Sequence, residues 1–243
     1  MRNPIGTADH PKGLFLDSQE RYALLVDGHP AMPAAGLPPS GGRPRLASVA
    51  PLGDFEIRAI LRERLSAVRR QDPTAVVIEE LELRRKQVRF DIALVSGLLH
   101  GYEIKSDRDS LRRLGRQVAV YSEVFDRATL VVGSRYVKNA VDVVPAWWEV
   151  IAVHLSGSVG RLTRLRAGRR NPARSARSLV ELLWAEDALR FLDARGGARG
   201  YRGKPREALW NRICEIYSLG EIAAEVRRQL KARTRIGSAR PCS

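Results

Sequence analysis

Two neighbouring stretches, Gln87 to Val95 (QVRFDIALV) and Leu98 to Ser106 (LLHGYEIKS), limit this chain more than any other feature. Each is short, rich in β-branched and aromatic residues, and bounded by turn-forming positions, the pattern of a β-strand. They are separated by Ser96-Gly97, so they read as a hairpin. Both carry charges inside otherwise apolar runs: Asp91 in the first, Glu103 and Lys105 in the second. A charge costs free energy in a sheet interior unless it is paired or used. Glu103 and Lys105 are two apart and share a face, with Tyr102 and Ile104 on the other. Strict alternation sets Asp91 with Ala93 and Val95, and Phe90, Ile92 and Leu94 opposite. A three-residue loop, Ser96-Gly97-Leu98, places Asp91 opposite Glu103. A two-residue loop places it opposite Tyr102, on the wrong face unless a bulge intervenes.

The surrounding pattern predicts a mixed α/β fold. Phe55, Ile57, Ile60, Leu61, Leu65 and Val68 recur at helical spacing and predict a helix over Asp54 to Arg70, with Asp54 as its cap. Ala75 to Ile78 reads as a short strand. Ser106-x-x-Asp109 resembles a capping box that opens a helix with Leu111, Leu114, Val118, Tyr121 and Phe125 on one face. Ala128 to Gly133 reads as a buried strand, and Tyr136 to Val143 as a short helix. Trp147 to His154 reads as a strand, with Gly157 to Leu165 as its hairpin partner. Three helical stretches follow, Leu179 to Leu192, Pro205 to Tyr217 and Ile222 to Leu230.

This divides the chain into a Pro/Gly-rich leader at 1–50, a core at 51–166 and a helical region at 167–243. The leader includes HPAMPAAGLPPSGGRP, which no packed helix or central strand accommodates. It reads as mostly disordered, or as an extension from an early start codon, with an isolated strand at Tyr22 to Val26. No apolar run reaches the roughly 18 residues of a membrane span. No apolar signal stretch stands at the N-terminus, so the expected location is the cytoplasm. Cys214 and Cys242 lack metal-ligand spacing and indicate no disulfide framework.

Lysine and arginine total 42 against 27 acidic residues, a formal charge of +15. Such a surface attracts polyanions, although an arginine-rich genome produces the same excess. The densest basic run is Arg161, Arg164, Arg166, Arg169, Arg170, Arg174 and Arg177. It reads as a phosphate-contacting stripe, with a solvated linker as the bland alternative. His100 and His154 have no partners at ligand spacing and read as structural. Trp147 and Trp148 read as core and rim.

If Asp91, Glu103 and Lys105 converge, two carboxylates and an ammonium share one surface. The carboxylates repel unless a cation lies between them. A hard divalent ion prefers such oxygens, polarises a phosphate and acidifies a bound water. RFDIALV followed by YEIKSD resembles the D…(D/E)-x-K signature of the PD-(D/E)XK nuclease superfamily, with Phe90 where proline often precedes the Asp. Gln117-Val118-Ala119-Val120-Tyr121 resembles the Q-x-x-x-Y motif of RecB-type nucleases. HGYEIKSDRDSLRRLGRQVAVYSEVFDRATLVVG, PAWWEV and the pattern around Asn171, Pro172 and Trp184 are similar to a bacterial family of nuclease-like proteins of unassigned role.

The resemblance covers residues 54 to 235. It implies a restriction-endonuclease-like mixed sheet flanked by helices, an αβββαβ core, with an α-helical C-terminal region. It implies a metal-dependent hydrolase of phosphodiester bonds using Mg²⁺ or Mn²⁺, with DNA ahead of RNA as substrate, in repair, recombination or defence. Asp91 and Glu103, with the backbone carbonyl of Ile104, would hold the metal. Lys105 would assist the attacking water, and Gln117 and Tyr121 would orient Lys105 or the substrate. Superfamily members such as the archaeal Holliday-junction resolvases draw another carboxylate from the first helix. Glu56 is the positional match, with Glu63 nearly on the same face. Two other readings stand beside this one: a nucleic-acid-binding protein that does not cut, and a toxin or defence nuclease silenced by a partner. A homodimer is left open.

Overall fold

The computed structural model describes residues 51–84, 87–156 and 159–238. The leader at 1–50, with its strand at Tyr22 to Val26, lies outside the described residues, as does Cys242. The described residues all fall within one compact unit, Arg45–Ser243.

The chain runs α1 (Asp54–Gln71), β1 (Val76–Leu83), β2 (Val88–Val95), β3 (Leu99–Lys105), α2 (Leu114–Ser122), β4 (Arg127–Val132), β5 (Glu149–Ser156) and β6 (Val159–Arg166). Four helices follow: α3 (Ala176–Val180), α4 (Ala185–Asp193), α5 (Arg206–Ile216) and α6 (Leu219–Ser238). The six strands form one sheet in sequence order. β1, β2 and β3 are antiparallel neighbours, β3, β4 and β5 are parallel neighbours, and β6 returns antiparallel to β5. The mixed sheet arises because α2 carries the chain over one face between β3 and β4, as a parallel pair requires. The expected mixed α/β fold, with helices flanking the sheet and a helical C-terminal region, is the fold observed.

Each face has its own core. Ile57, Leu61 and Leu65 of α1 pack on Ile92, Leu94, Tyr102, Ile104, Val131 and Val153. Leu114, Val118 and Tyr121 of α2 share the opposite face with α3 to α6, against Phe90, Leu99, Leu130, Val132 and Val150. The charged residues of the hairpin therefore lie between two helical layers.

The hairpin turns through Ser96-Gly97-Leu98, with Val95 paired to Leu99. The ladder runs to Ile92↔Tyr102, and the next step sets Asp91 opposite Glu103. Alternation fails at this level. Phe90 lies in the same cluster as Ala93 and Val95, where strict alternation puts it on the other face. β1 makes the same break, since Val76 and Ile78 share a face with Leu81 and Leu83. The pairs Glu79↔Ile92 and Leu81↔Phe90 flank the irregular step, so Glu80 stands opposite Asp91. Glu80 absorbs the break with a left-handed backbone, φ 56°. Both strands thus turn over together, and the pairing register survives.

Several elements differ from their expected bounds. β1 extends to Leu83 because its later residues still pair with β2. Ser106 bonds Asp109 as a capping box would, through its amide at 2.7 Å and its hydroxyl at 2.6 Å. The helix nevertheless starts later: Ser110 caps a 3-10 turn at Leu111–Arg113, and α2 follows. Tyr136 to Val143 is no helix; a 3-10 turn at Ser134–Tyr136 leads into further turns. The fifth strand begins at Glu149, after a turn in which the Trp148 amide bonds the Pro145 carbonyl. Leu179 to Leu192 is two helices, because the chain breaks at Leu182 to Trp184 before α4 begins. α6 is longer at both ends than its apolar stripe suggested.

Candidate functional site

Asp91, Glu103, Lys105 and Gln117 line one cleft, together with Asp54, Arg58, Glu80, Ile104 and a basic rim of Arg89, Arg113 and Arg116. β2 and β3 supply the central residues, and their register puts the Asp91 and Glu103 positions side by side. Asp91 Oδ2 accepts the backbone N–H of Ile104 at 2.8 Å. The carboxylate thus takes an amide of β3 just beyond the paired stretch of the two strands. Lys105 Nζ lies 2.7 Å from Glu103 Oε1 and donates to Gln117 Oε1 at 3.2 Å. The ammonium is thereby fixed from the sheet and from α2.

Glu103 is 1% exposed. Its Oε2 is buried and makes no hydrogen bond of good geometry, although the Tyr121 hydroxyl interacts with the carboxylate. Burial, then the neighbouring Asp91 charge, pushes its pKa up to about 7, against the pull of Lys105. Burial also raises Asp91, opposed by the Ile104 amide, Arg58 and Lys105. Burial makes both acids reluctant to ionise, and the Asp91 charge adds to this at Glu103, so a cation would stabilise the ionised pair. The donors are all oxygen, which suits a hard divalent ion. Among the described residues, no three His, Cys, Asp or Glu side chains are grouped to hold a metal.

Gln117 donates to the Tyr121 hydroxyl at 3.1 Å, and Tyr121 donates to the Arg89 carbonyl at 2.9 Å. The Tyr121 ring is fully buried, edge-on to Phe90 at 4.1 Å between centroids. Burial, followed by the Glu103 charge, raises its pKa and keeps it protonated. Tyr121 thus orients Gln117 from below and through it Lys105; it is absent from the cleft lining, so of its two expected roles, orienting Lys105 or the substrate, only the second is corrected.

Glu56 is also corrected. Asp54 and Arg58 are one turn apart on α1 and face the cleft, whereas Glu56 is exposed and outside its lining. Two residues on from Asp54 is about 200° around a helix. Glu63 is exposed too. The α1 carboxylate at the cleft is Asp54.

The basic run is largely spent on the fold. Arg164 bonds Glu149 at 3.2 Å. Arg166 reaches the carbonyls of Val141 at 2.6 Å, Pro145 at 2.7 Å and Trp148 at 3.0 Å. Arg174 pairs with Asp126 at 2.6 Å, Arg170 approaches it at 3.8 Å, and Arg177 bonds Asn211 at 2.6 Å. Arg161 and Arg169 are exposed. Arg89, Arg113 and Arg116 lie outside the dense basic run, so the density of basic residues does not mark them. The signal was present: Arg113, Arg116 and Gln117 are spaced i, i+3, i+4 and share a helical face.

His100 is structural, as expected, but it has partners. Its Nε2 lies 2.8 Å from Thr129 Oγ1, its Nδ1 lies 3.3 Å from the Tyr102 hydroxyl, and Thr129 donates to Glu149 at 2.8 Å. Trp148 is buried and Trp147 half-buried.

The fold and cleft define a mixed α/β protein with a paired-carboxylate and lysine site on the hairpin of its sheet. The chain belongs to the family described as bacteriophage P4 protein cII, whose model matches residues 53–238. A curated relative, protein cII of Enterobacteria phage P4, is 30% identical over 95 residues. That match covers 39% of this chain and only 36% of the relative. No solved structure matches. The family description names no activity, so the functional reading rests on the residues. No helix among the described residues is long and apolar enough to cross a membrane.

Proposed function

We propose that this protein is a divalent-metal-dependent nuclease of the PD-(D/E)XK kind, acting in the cytoplasm on DNA ahead of RNA. One observation carries the reading. Asp91, Glu103 and Lys105 meet in one cleft, where the buried Glu103 carboxylate stands beside a second carboxylate and pairs with Lys105. Asp91, Glu103 and the Ile104 carbonyl would hold Mg²⁺ or Mn²⁺. When bound, the ion would polarise a phosphate oxygen and make water a better nucleophile at neutral pH.

The remaining work falls to side chains. Lys105, clamped between Glu103 and Gln117, presents its charge where negative charge grows on the phosphate. Tyr121 fixes Gln117 and so fixes Lys105. Arg89, Arg113 and Arg116 would receive the flanking phosphates.

The test is cleavage of single-stranded, duplex and branched DNA with Mg²⁺ or Mn²⁺. The wild type cuts, chelation stops it, and Asp91→Asn or Lys105→Ala lowers the rate by about 100-fold or more. A second reading has its own support: Arg58 pairs with Asp91 at 2.7 Å, and among the described residues no three acidic, histidine or cysteine side chains are grouped to hold a metal. That arrangement would suit a protein that binds nucleic acid without cutting it. Tight DNA binding with no cleavage, unchanged in Lys105→Ala, selects that reading.

A further inference from the structure

Asp91 has two differently furnished sides. Toward β3, its Oδ2 takes the Ile104 amide at 2.8 Å beside the buried carboxylate of Glu103. Toward α1, its Oδ1 takes Arg58 Nη2 at 2.7 Å. The same guanidinium reaches Asp54 Oδ2 through Nε at 2.6 Å and Glu80 Oε1 through Nη2 at 3.0 Å. Three carboxylates from α1, β1 and β2 therefore converge on one cation whose side chain is only 14% exposed. Glu80 reaches this point from a left-handed backbone, and it also pairs with Arg89 on its outer side.

Charge balance separates the two sides. Asp54, Glu80, Asp91, Glu103 and Asp109 face Arg58, Arg89, Lys105, Arg113 and Arg116, which leaves the cleft lining formally neutral. One divalent ion gives it a net positive charge to meet a phosphodiester. A second would add charge where a guanidinium already stands, at a separation where like charges repel strongly. A planar guanidinium matches carboxylate geometry and never deprotonates, so it is a permanent counter-ion.

We infer that Arg58 takes the place of a second divalent ion on the α1 side of Asp91, so that the cleft binds one metal and carries a built-in second cation held by Asp54 and Glu80. This rests on the metal-dependent reading of the same cleft. Arg58 is a positioning residue: it fixes the outer oxygen of Asp91 and leaves the inner side to the ion.

Mn²⁺ titration by calorimetry, with electron paramagnetic resonance of the same samples, tests this without any cleavage readout. The wild type should bind one Mn²⁺ per chain and give the spectrum of an isolated ion. Arg58→Ala should bind two, and Arg58→Lys should stay at one. A wild type that binds no Mn²⁺ defeats the metal reading and this inference with it. Two coupled ions in the wild type, or a folded Arg58→Ala that stays at one, overturns the inference and leaves the metal reading standing. Should Arg58→Ala fail to fold, the wild-type stoichiometry and spectrum decide alone.

Discussion

Glu103 is the residue whose surroundings most resemble those of a working group. Its pKa rises from an ordinary 4.5 to about 7 through burial and the Asp91 charge. In the unfolded chain it ionises first, so between those values the folded state holds the extra proton. Stability therefore falls as pH rises through that window. Glu103→Gln removes the effect. Urea unfolding in chelator should show the variant gaining on the wild type as pH climbs from 4.5 to 7, then a constant gap. Mn²⁺ should narrow that gap above pH 7 by stabilising the wild type alone. A gap independent of pH would mean that Glu103 ionises normally. Asp91, Glu103 and Lys105 were legible as a set through the D…(D/E)-x-K resemblance, and through strand parity only on the condition of a three-residue loop. Arg58 and Glu80 were not legible. An arginine on an amphipathic helix and a glutamate in an edge strand look solvent-facing until the sheet brings them to Asp91.

The hairpin and α2 decide the site at the scale of elements. Its register was narrowed to two loop lengths, of which the three-residue turn is observed, but the alternation break was hidden, since nothing in RFDIALV marks Asp91 as a hinge. Gly101 records the consequence. Phe90, turned onto the α2 face, lies so close that a Cβ on Gly101 would sit 2.6 Å from its Cε1 and 3.1 Å from Phe125. Gly101→Ala should therefore destabilise the protein by roughly 1–3 kcal/mol through overpacking. Chemical denaturation measures this, and a neutral result would mean that Phe90 is free to move. At the start of α2, Arg113 and Arg116 flank the same cleft on the Gln117 side. If they contact phosphates, Arg113→Ala/Arg116→Ala should weaken DNA binding for all sequences alike and reduce the salt dependence by about two phosphate contacts. Binding measured across a salt series checks this. A variant with the same slope as the wild type would move the substrate path elsewhere, with Arg161 and Arg169 the next candidates.

Across the whole molecule, the C-terminal helices are part of the sheet's core. One apolar cluster runs from Phe90 and Leu130 in the sheet to Trp210, Ile213 and Val226 in α5 and α6. The sequence pattern separated these regions at 166 because the sheet ends there and helical periodicity takes over, and periodicity is blind to which face covers which. The joint is Asp126, 1% exposed at the start of β4. Its carboxylate accepts the Leu99 amide at 2.9 Å and pairs with Arg174 at 2.6 Å and Arg227 of α6 at 3.7 Å. Its carbonyl accepts the Asn171 amide at 2.8 Å, and Asn171 Nδ2 reaches the Ser122 and Phe125 carbonyls at 2.7 and 2.8 Å. Arginines that looked like a nucleic-acid stripe thus neutralise one buried acid and anchor the helical region. Asp126→Ala would leave Arg174 without its partner and should cost roughly 3–5 kcal/mol. Because a single core spans the joint, unfolding should remain one cooperative transition at a lower midpoint, with far- and near-ultraviolet dichroism changing together. Two separate transitions would show instead that the helices fold apart from the sheet, with Asp126 holding together two units that the shared core does not.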